Sequence, residues 1–127
     1  MKVSLHDLET TSHQLHCCGL VILNGNLDIA SAAAVNAQVN YLHEQGMSHL
    51  LFDCAALEFV DTTGFRSLIN AHQAFPGGIA VIAPQNGTSQ LIKIMGVSKL
   101  LPDFDTVGLA QEHLHVEHEK VRPRLEE

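Results

Sequence analysis

Aromatic residues and positive charge are both scarce in this sequence. It has no Trp and one Tyr, and only five Phe, so its core has to be built from Leu, Ile, Val and Ala. Lys and Arg number 7 against 14 Asp and Glu in 127 residues, a net charge of −7 with His neutral. These few cations form no basic stripe, and neutralising nucleic-acid phosphates requires one, so DNA and RNA are excluded as partners. No apolar run approaches the roughly 20 residues of a membrane span, which excludes direct membrane insertion. The opening MKVSLHDLETTSHQLH is broken by Asp7 and Glu9 before the apolar centre of a secretory signal can form. Three cysteines make no disulfide framework: Cys17 and Cys18 are neighbours that point to opposite faces of a strand, and Cys54 is left over. All three read as small, reduced core residues of a cytoplasmic protein.

The usual catalytic signatures are missing as well. There is no GxxxxGK[ST], no GxGxxG behind a strand and no GxSxG elbow, which argues against an NTPase, a dinucleotide enzyme and an α/β-hydrolase. Asp28, Asp53 and Asp61 fall near strand ends, where α/β proteins place sites, but no His stands at a matching junction to complete a catalytic set. Nine His raise the question of a metal, above all in EHLHVEH, where His115 and His118 share a helical face with Glu112 one turn back. A solvated amphipathic helix with Leu114 turned inward explains that pattern with fewer assumptions, so neither metal nor cofactor is assigned. The Cys17-Cys18 pair lacks CxxC spacing, and NGT at Asn86 reads as a helix start rather than a glycosylation acceptor.

What is present is an alternation of strands and helices in a chain long enough for one core. An edge strand is expected in KVSLHDLE, then a strand buried on both faces from Cys17 to Leu23, closed by Asn24-Gly25. A helix follows, with Ser31 as its N-cap, Ala34, Val35, Gln38, Val39 and Leu42 at helical spacing, and Gly46 as its stop. MSHLLFDCA predicts a second buried strand ending near Asp53, and Thr63 to Ala74 a second helix with Phe65, Leu68 and Ile69 marking one side. Pro76 and two glycines stop it before the strand IAVIAP. NGTSQLIKIMG predicts a third helix, capped by Thr88 or Ser89, with Leu91, Ile92 and Met95 inward. A short edge strand near Phe104 and a last helix in GLAQEHLHVEHE complete the order. The expectation is a single α/β domain over residues 1–116, a mixed, largely parallel sheet of about four to five strands with about four helices on it, and a flexible tail over 117–127.

The segment FVDTTGF, residues 59–65, sets two hydroxyls behind an aspartate at a strand-to-helix junction. Asp61, Thr62 and Thr63 suit helix capping, and Gly64 suits close approach by another backbone. Taken alone, the turn reads as often as a plain cap as it does as a nucleophile or a target of modification.

Two longer segments resemble the STAS family of bacterial anti-sigma-factor antagonists. LNGNLDIASAAAVNAQV is similar to that family's GELD segment and first helix, and HLLFDCAALEFVDTTGFRSLINA to its strand and DSSGL turn. IAVIAP and LIKIMGVSKLL follow at fitting distances, so the resemblance covers about residues 3 to 115. It implies a non-catalytic domain that regulates transcription by binding a protein partner, a serine/threonine kinase that is also the anti-sigma factor. It further implies that the kinase phosphorylates the first hydroxyl after the motif aspartate. That residue is Thr62, with Thr63 as the alternative. The partner-binding residues the resemblance carries over are Asp28, Asp61, Thr62, Thr63, Gly64, Phe65 and Arg66. The chain departs from the pattern where Thr62 replaces serine, Asn26 replaces the glutamate of GELD, and Phe65-Arg66 replaces Leu-Gly. Arg66 on the first turn either blocks the family's usual kinase or pairs with phosphate on Thr62. A STAS subunit of a lipid-transport or stressosome-like complex, working without phosphorylation, remains the second reading. The sequence sets no oligomeric state.

Overall fold

The computed structural model describes residues 1–16 and 18–121, with side chains described up to Leu114. Strands β1 (Lys2–Leu5), β2 (Leu8–Leu15), β3 (Cys18–Leu27), β4 (His49–Val60), β5 (Ile79–Ile82) and β6 (Asp103–Phe104) form one sheet in that order. The first three pair antiparallel, and β3 through β6 pair parallel. Parallel neighbours need a long crossover. Helix α1 (Ala32–Glu44) supplies the one between β3 and β4, and α3 (Asn86–Ile94) lies in the one between β5 and β6. Helix α2 (Thr62–Asn70), continued by a 3-10 turn at Ala71–Ala74, makes the crossover between β4 and β5. Helix α4 (Val107–Val121) follows the last strand.

The α/β class and mixed sheet are as expected, but the sheet has six strands. KVSLHDLE is not one strand. The chain turns at His6 and Asp7, with His6 in the left-handed region at φ 54°, and β2 runs back along β1 with Leu5 opposite Leu8. The inward positions of β2 after Leu8 are Thr10 and Ser12, buried yet polar, so no apolar alternation marks the strand. The amide nitrogen of Gln38 on α1 satisfies Thr10, donating to its hydroxyl at 2.8 Å and its carbonyl at 3.1 Å.

Alternation along the central strands explains their continuous apolar runs. Val21, Leu23, Leu50, Phe52 and Val81 face a core closed by Val35 and Leu42 of α1, Phe65 and Leu68 of α2, and Ile92 of α3. Leu20, Leu51, Ala80 and Ile82 face the opposite side, under Ala110 and Leu114 of α4. Cys18 and Cys54 are buried as expected, and burial, reinforced by the charge of Asp53, pushes the Cys54 thiol far above its ordinary range.

Several boundaries moved. Strand β4 was expected to end near Asp53 but runs to Val60, with two register shifts against β3 that add residues to β4 beyond Asp53. Helix α2 begins at Thr62, one residue before its expected start, and the N-cap position of α3 is Gln85, which makes no side-chain cap, rather than Thr88 or Ser89. Thr88 is instead buried in the first turn, and of the expected inward residues Ile92 is buried while Leu91 and Met95 are half-buried. Ser31 precedes α1 but makes no side-chain cap. Helix α4 continues through residue 116 to Val121. Cys17, the side chains of His115 and His118, and residues 122–127 of the expected tail lie outside the described residues.

Candidate functional site

The parallel pairing of β3 with β4 ends at Leu27 opposite Val60, so the loops that follow both strands leave the same edge of the sheet side by side. This is the edge where open α/β sheets build sites. The first loop carries Asp28 and the second carries the DTTG turn, and Asp61 joins them. One of its carboxylate oxygens accepts from Gly64 N at 2.7 Å, capping α2, and the other accepts from Ile29 N at 3.3 Å in the neighbouring loop. Its own N–H donates to the Leu27 carbonyl at 3.1 Å. Asp28 stays within its loop, where one oxygen accepts from Ala30 N at 3.0 Å and from Ser31 N at 3.1 Å. The hydroxyl of Ser31 turns back to the Asn26 carbonyl at 2.9 Å, which is why it does not cap α1. Because that bond uses the backbone of Asn26, the side-chain departure at this position leaves the turn intact.

Gly64 packs against the end of β3. A Cβ built on it would sit 2.5 Å from the Leu27 carbonyl oxygen and 2.8 Å from its carbon. The close approach is therefore within the chain, and Gly64 is buried rather than open to a partner. Phe65, expected among the docking residues, is corrected in the same way: it is fully buried and anchors α2 to the core with Leu68. The residues left at the surface are Thr62, Thr63 and Arg66, with Asp28 and Asp61 half-buried beside them.

Thr62 is the first residue of α2 and lies on the rim of a groove of about 840 Å³. Leu57, Phe59, Val60 and Asp61 line one wall, and Gln85, Asn86, Thr88 and Leu91 the other. The Gln85 side chain crosses the groove's end to donate to the Ala55 carbonyl at 2.7 Å. Phe59 is 55% exposed and Ile29, on the loop beside the turn, 75%. The charged lining residues, Glu58 and Asp61, are both acids. Sequence reasoning missed the α3 wall and Phe59. The groove joins segments far apart in the chain, and only the polar stretch NGT at the start of α3 hinted at an exposed helix end.

Among the described residues no His, Cys or Lys lines the groove. Among the described residues no group of three or more His, Cys, Asp or Glu is placed to hold a metal ion, and no helix is long and apolar enough to cross a membrane. Thr62 and Thr63 both expose hydroxyls at this edge of the sheet, and Thr62 is the one of the two that lines the groove.

The family model of the STAS domain matches residues 9–110, which contain both loops, the DTTG turn and the α3 wall. The chain belongs to the STAS domain family. Its fold is that of an anti-sigma factor antagonist from Mycobacterium paratuberculosis, with a TM-score of 0.77 at 22% identity over 89% of this chain and 99% of that one. The anti-sigma factor antagonist SpoIIAA in its unphosphorylated form superposes with a TM-score of 0.70 at 14% identity, over 84% of this chain and 96% of that one. The Bacillus cell fate determinant SpoIIAA in its phosphorylated form gives 0.64 at 14% identity, over 83% and 98%. No curated relative matches the sequence. The anti-sigma factor antagonists that share this fold are non-catalytic regulatory proteins.

Proposed function

We propose that this STAS domain is a cytoplasmic regulator of the anti-sigma-factor-antagonist type, which docks on a serine/threonine kinase acting as anti-sigma factor and is switched by phosphorylation of Thr62. The observation that carries the reading is the placement of Thr62, exposed, at the first position of α2 and on the groove's rim. Thr63 is also exposed but is not among the residues that line the groove, which favours Thr62 as the acceptor. That SpoIIAA, of the same fold, is known in both forms supports a fold that tolerates the added group.

The physics of the switch follows from the turn. Phosphate adds about −1.5 to −2 charge. The N-terminus of α2 favours an anion there by roughly 0.3–1 kcal/mol, so the modified domain stays folded. Asp61 and Glu58 oppose the charge, and burying it against a partner without compensation costs several kcal/mol. Even about 3 kcal/mol is more than a hundredfold in affinity. The interface effect is the larger of the two, so phosphorylation acts on binding.

Exposed Ile29 and Phe59 beside the turn favour a second reading, a constitutive subunit of a multi-protein complex that docks without phosphorylation. Intact mass and site mapping of the protein from its own cells separate the two. A single phosphate that disappears in Thr62→Ala and persists in Thr63→Ala is the expected result. No phosphate under any growth or stress condition would leave the constitutive subunit as the better account.

A further inference from the structure

We infer that Arg66 is the positioning residue for a phosphate on Thr62, taking it up in its guanidinium fork and holding it along α2. The inference rests on Thr62 as the acceptor but adds a component that the turn itself does not supply. Thr62 and Arg66 stand four residues apart on one helix, and both are exposed. Burial of Phe65 and Leu68 fixes the roll of α2, so positions 62 and 66 share its outer face. An anion placed four residues before a cation is the favourable order for such a pair.

Among the described residues nothing else claims the guanidinium. The other neighbours of Arg66 on its own helix at three and four residues are Thr63, Ile69 and Asn70, none of them acidic. Among the described residues the ion pair formed is Lys2 with Glu9 at 3.2 Å, and Arg66 has none. Asp61, the nearest acid in sequence, has its two oxygens engaged by Gly64 N and Ile29 N. Among the described residues the groove's lining contributes Glu58 and Asp61 but no cation, so a phosphate on Thr62 meets repulsion from that side. Arg66 is the cation on the helix that carries it. Guanidinium offers two parallel N–H donors to a phosphate, a geometry that an ammonium does not reproduce.

Phosphorus NMR of the intact chain carrying phosphothreonine at position 62, installed by semisynthesis or suppressor incorporation, tests this directly. Glu58 and Asp61 push the phosphate's second ionisation up, and Arg66 pulls it down. In Arg66→Gln the midpoint is expected to rise by about half a pH unit, the size of an exposed ion pair. Arg66→Lys, which keeps the charge without the fork, is expected between the two. Superposition of the Arg66→Gln curve on that of the parent would overturn the inference, and a curve for Arg66→Lys identical to the parent would overturn the role of the fork. Thermal melts of the unmodified Arg66→Gln protein check that α2 remains folded. Because the phosphothreonine is built in without the kinase, the titration is read whether or not cells modify Thr62, and a failure of that assignment would show in the mass mapping instead.

Discussion

At the scale of single residues, two glycines in the first turns of neighbouring helices show how context decides the sign of one substitution. Alanine in a helix is favoured over glycine by about 1 kcal/mol, whichever helix it joins. At Gly87 in α3 no described atom lies within 4 Å of an added Cβ, so Gly87→Ala should raise stability by up to about 1 kcal/mol. At Gly64 the same methyl would stand 2.5 Å from the Leu27 carbonyl oxygen, a backbone atom that cannot swing aside. Helix α2 would have to move off β3, loosening the Asp61–Gly64 cap bond with it. Gly64→Ala should therefore lower stability by roughly 1–3 kcal/mol despite its better propensity. Urea unfolding of both variants checks the pair, and equal shifts of the same sign would contradict the packing at Gly64. The signal for this residue was local and readable, since DTTG carries its cap and its small residue within four positions. Phe65 was readable too. Its spacing with Leu68 and Ile69 already marked the inward side of α2, and only the family resemblance placed it at the docking surface.

Elements were legible where their inward faces are apolar and illegible where they are not. Helix α1 and strands β3 and β5 announce themselves through Val, Leu and Ile at the period of each element. Strand β2 does not, because Thr10 and Ser12 fill its inward positions; Gln38, the partner of Thr10, lies 28 residues away, and the Ser12 hydroxyl donates to the Met1 carbonyl at 3.4 Å. Those partners are what make a polar strand face tolerable inside the core. The Nε2 of Gln38 reaches Thr10 and the Met1 carbonyl, fastening α1 across the terminal hairpin. Truncation by Gln38→Ala removes the donor and opens space, and should cost roughly 2–4 kcal/mol. Hydrogen exchange should then show faster exchange in β1 and β2 than in β4 and β5. Uniform loss of protection across the sheet would mean that Gln38 holds the whole core rather than the hairpin. The length of β4 was hidden for a related reason, since its extra residues alternate irregularly around two register shifts.

At the scale of the whole molecule, the question is whether charge at Thr62 acts on the fold or on association. The chain is acidic overall, with a net charge of −7. One more dianion changes that total modestly, and ions screen exposed charges beyond about 8–10 Å, so general repulsion cannot unfold the domain. The core under α2 is built around Phe65 and Leu68, and Thr62 is exposed and no member of that cluster. Phosphothreonine at 62 should therefore leave the melting temperature within a few degrees of the unmodified protein, the change expected from less than about 1 kcal/mol. Association is different, because docking removes the water that screens the charge. Pull-down from the protein's own cells with immobilised unmodified and phosphorylated chains should retain one kinase-sized partner on the first and lose it on the second. With that partner purified, the ratio of dissociation constants should exceed a hundredfold. An unchanged ratio beside an unchanged melting temperature would put the partner's contacts away from the groove. A large fall in melting temperature would instead make the switch conformational, with the clamp between Asp61 and Ile29 as the first bond to examine.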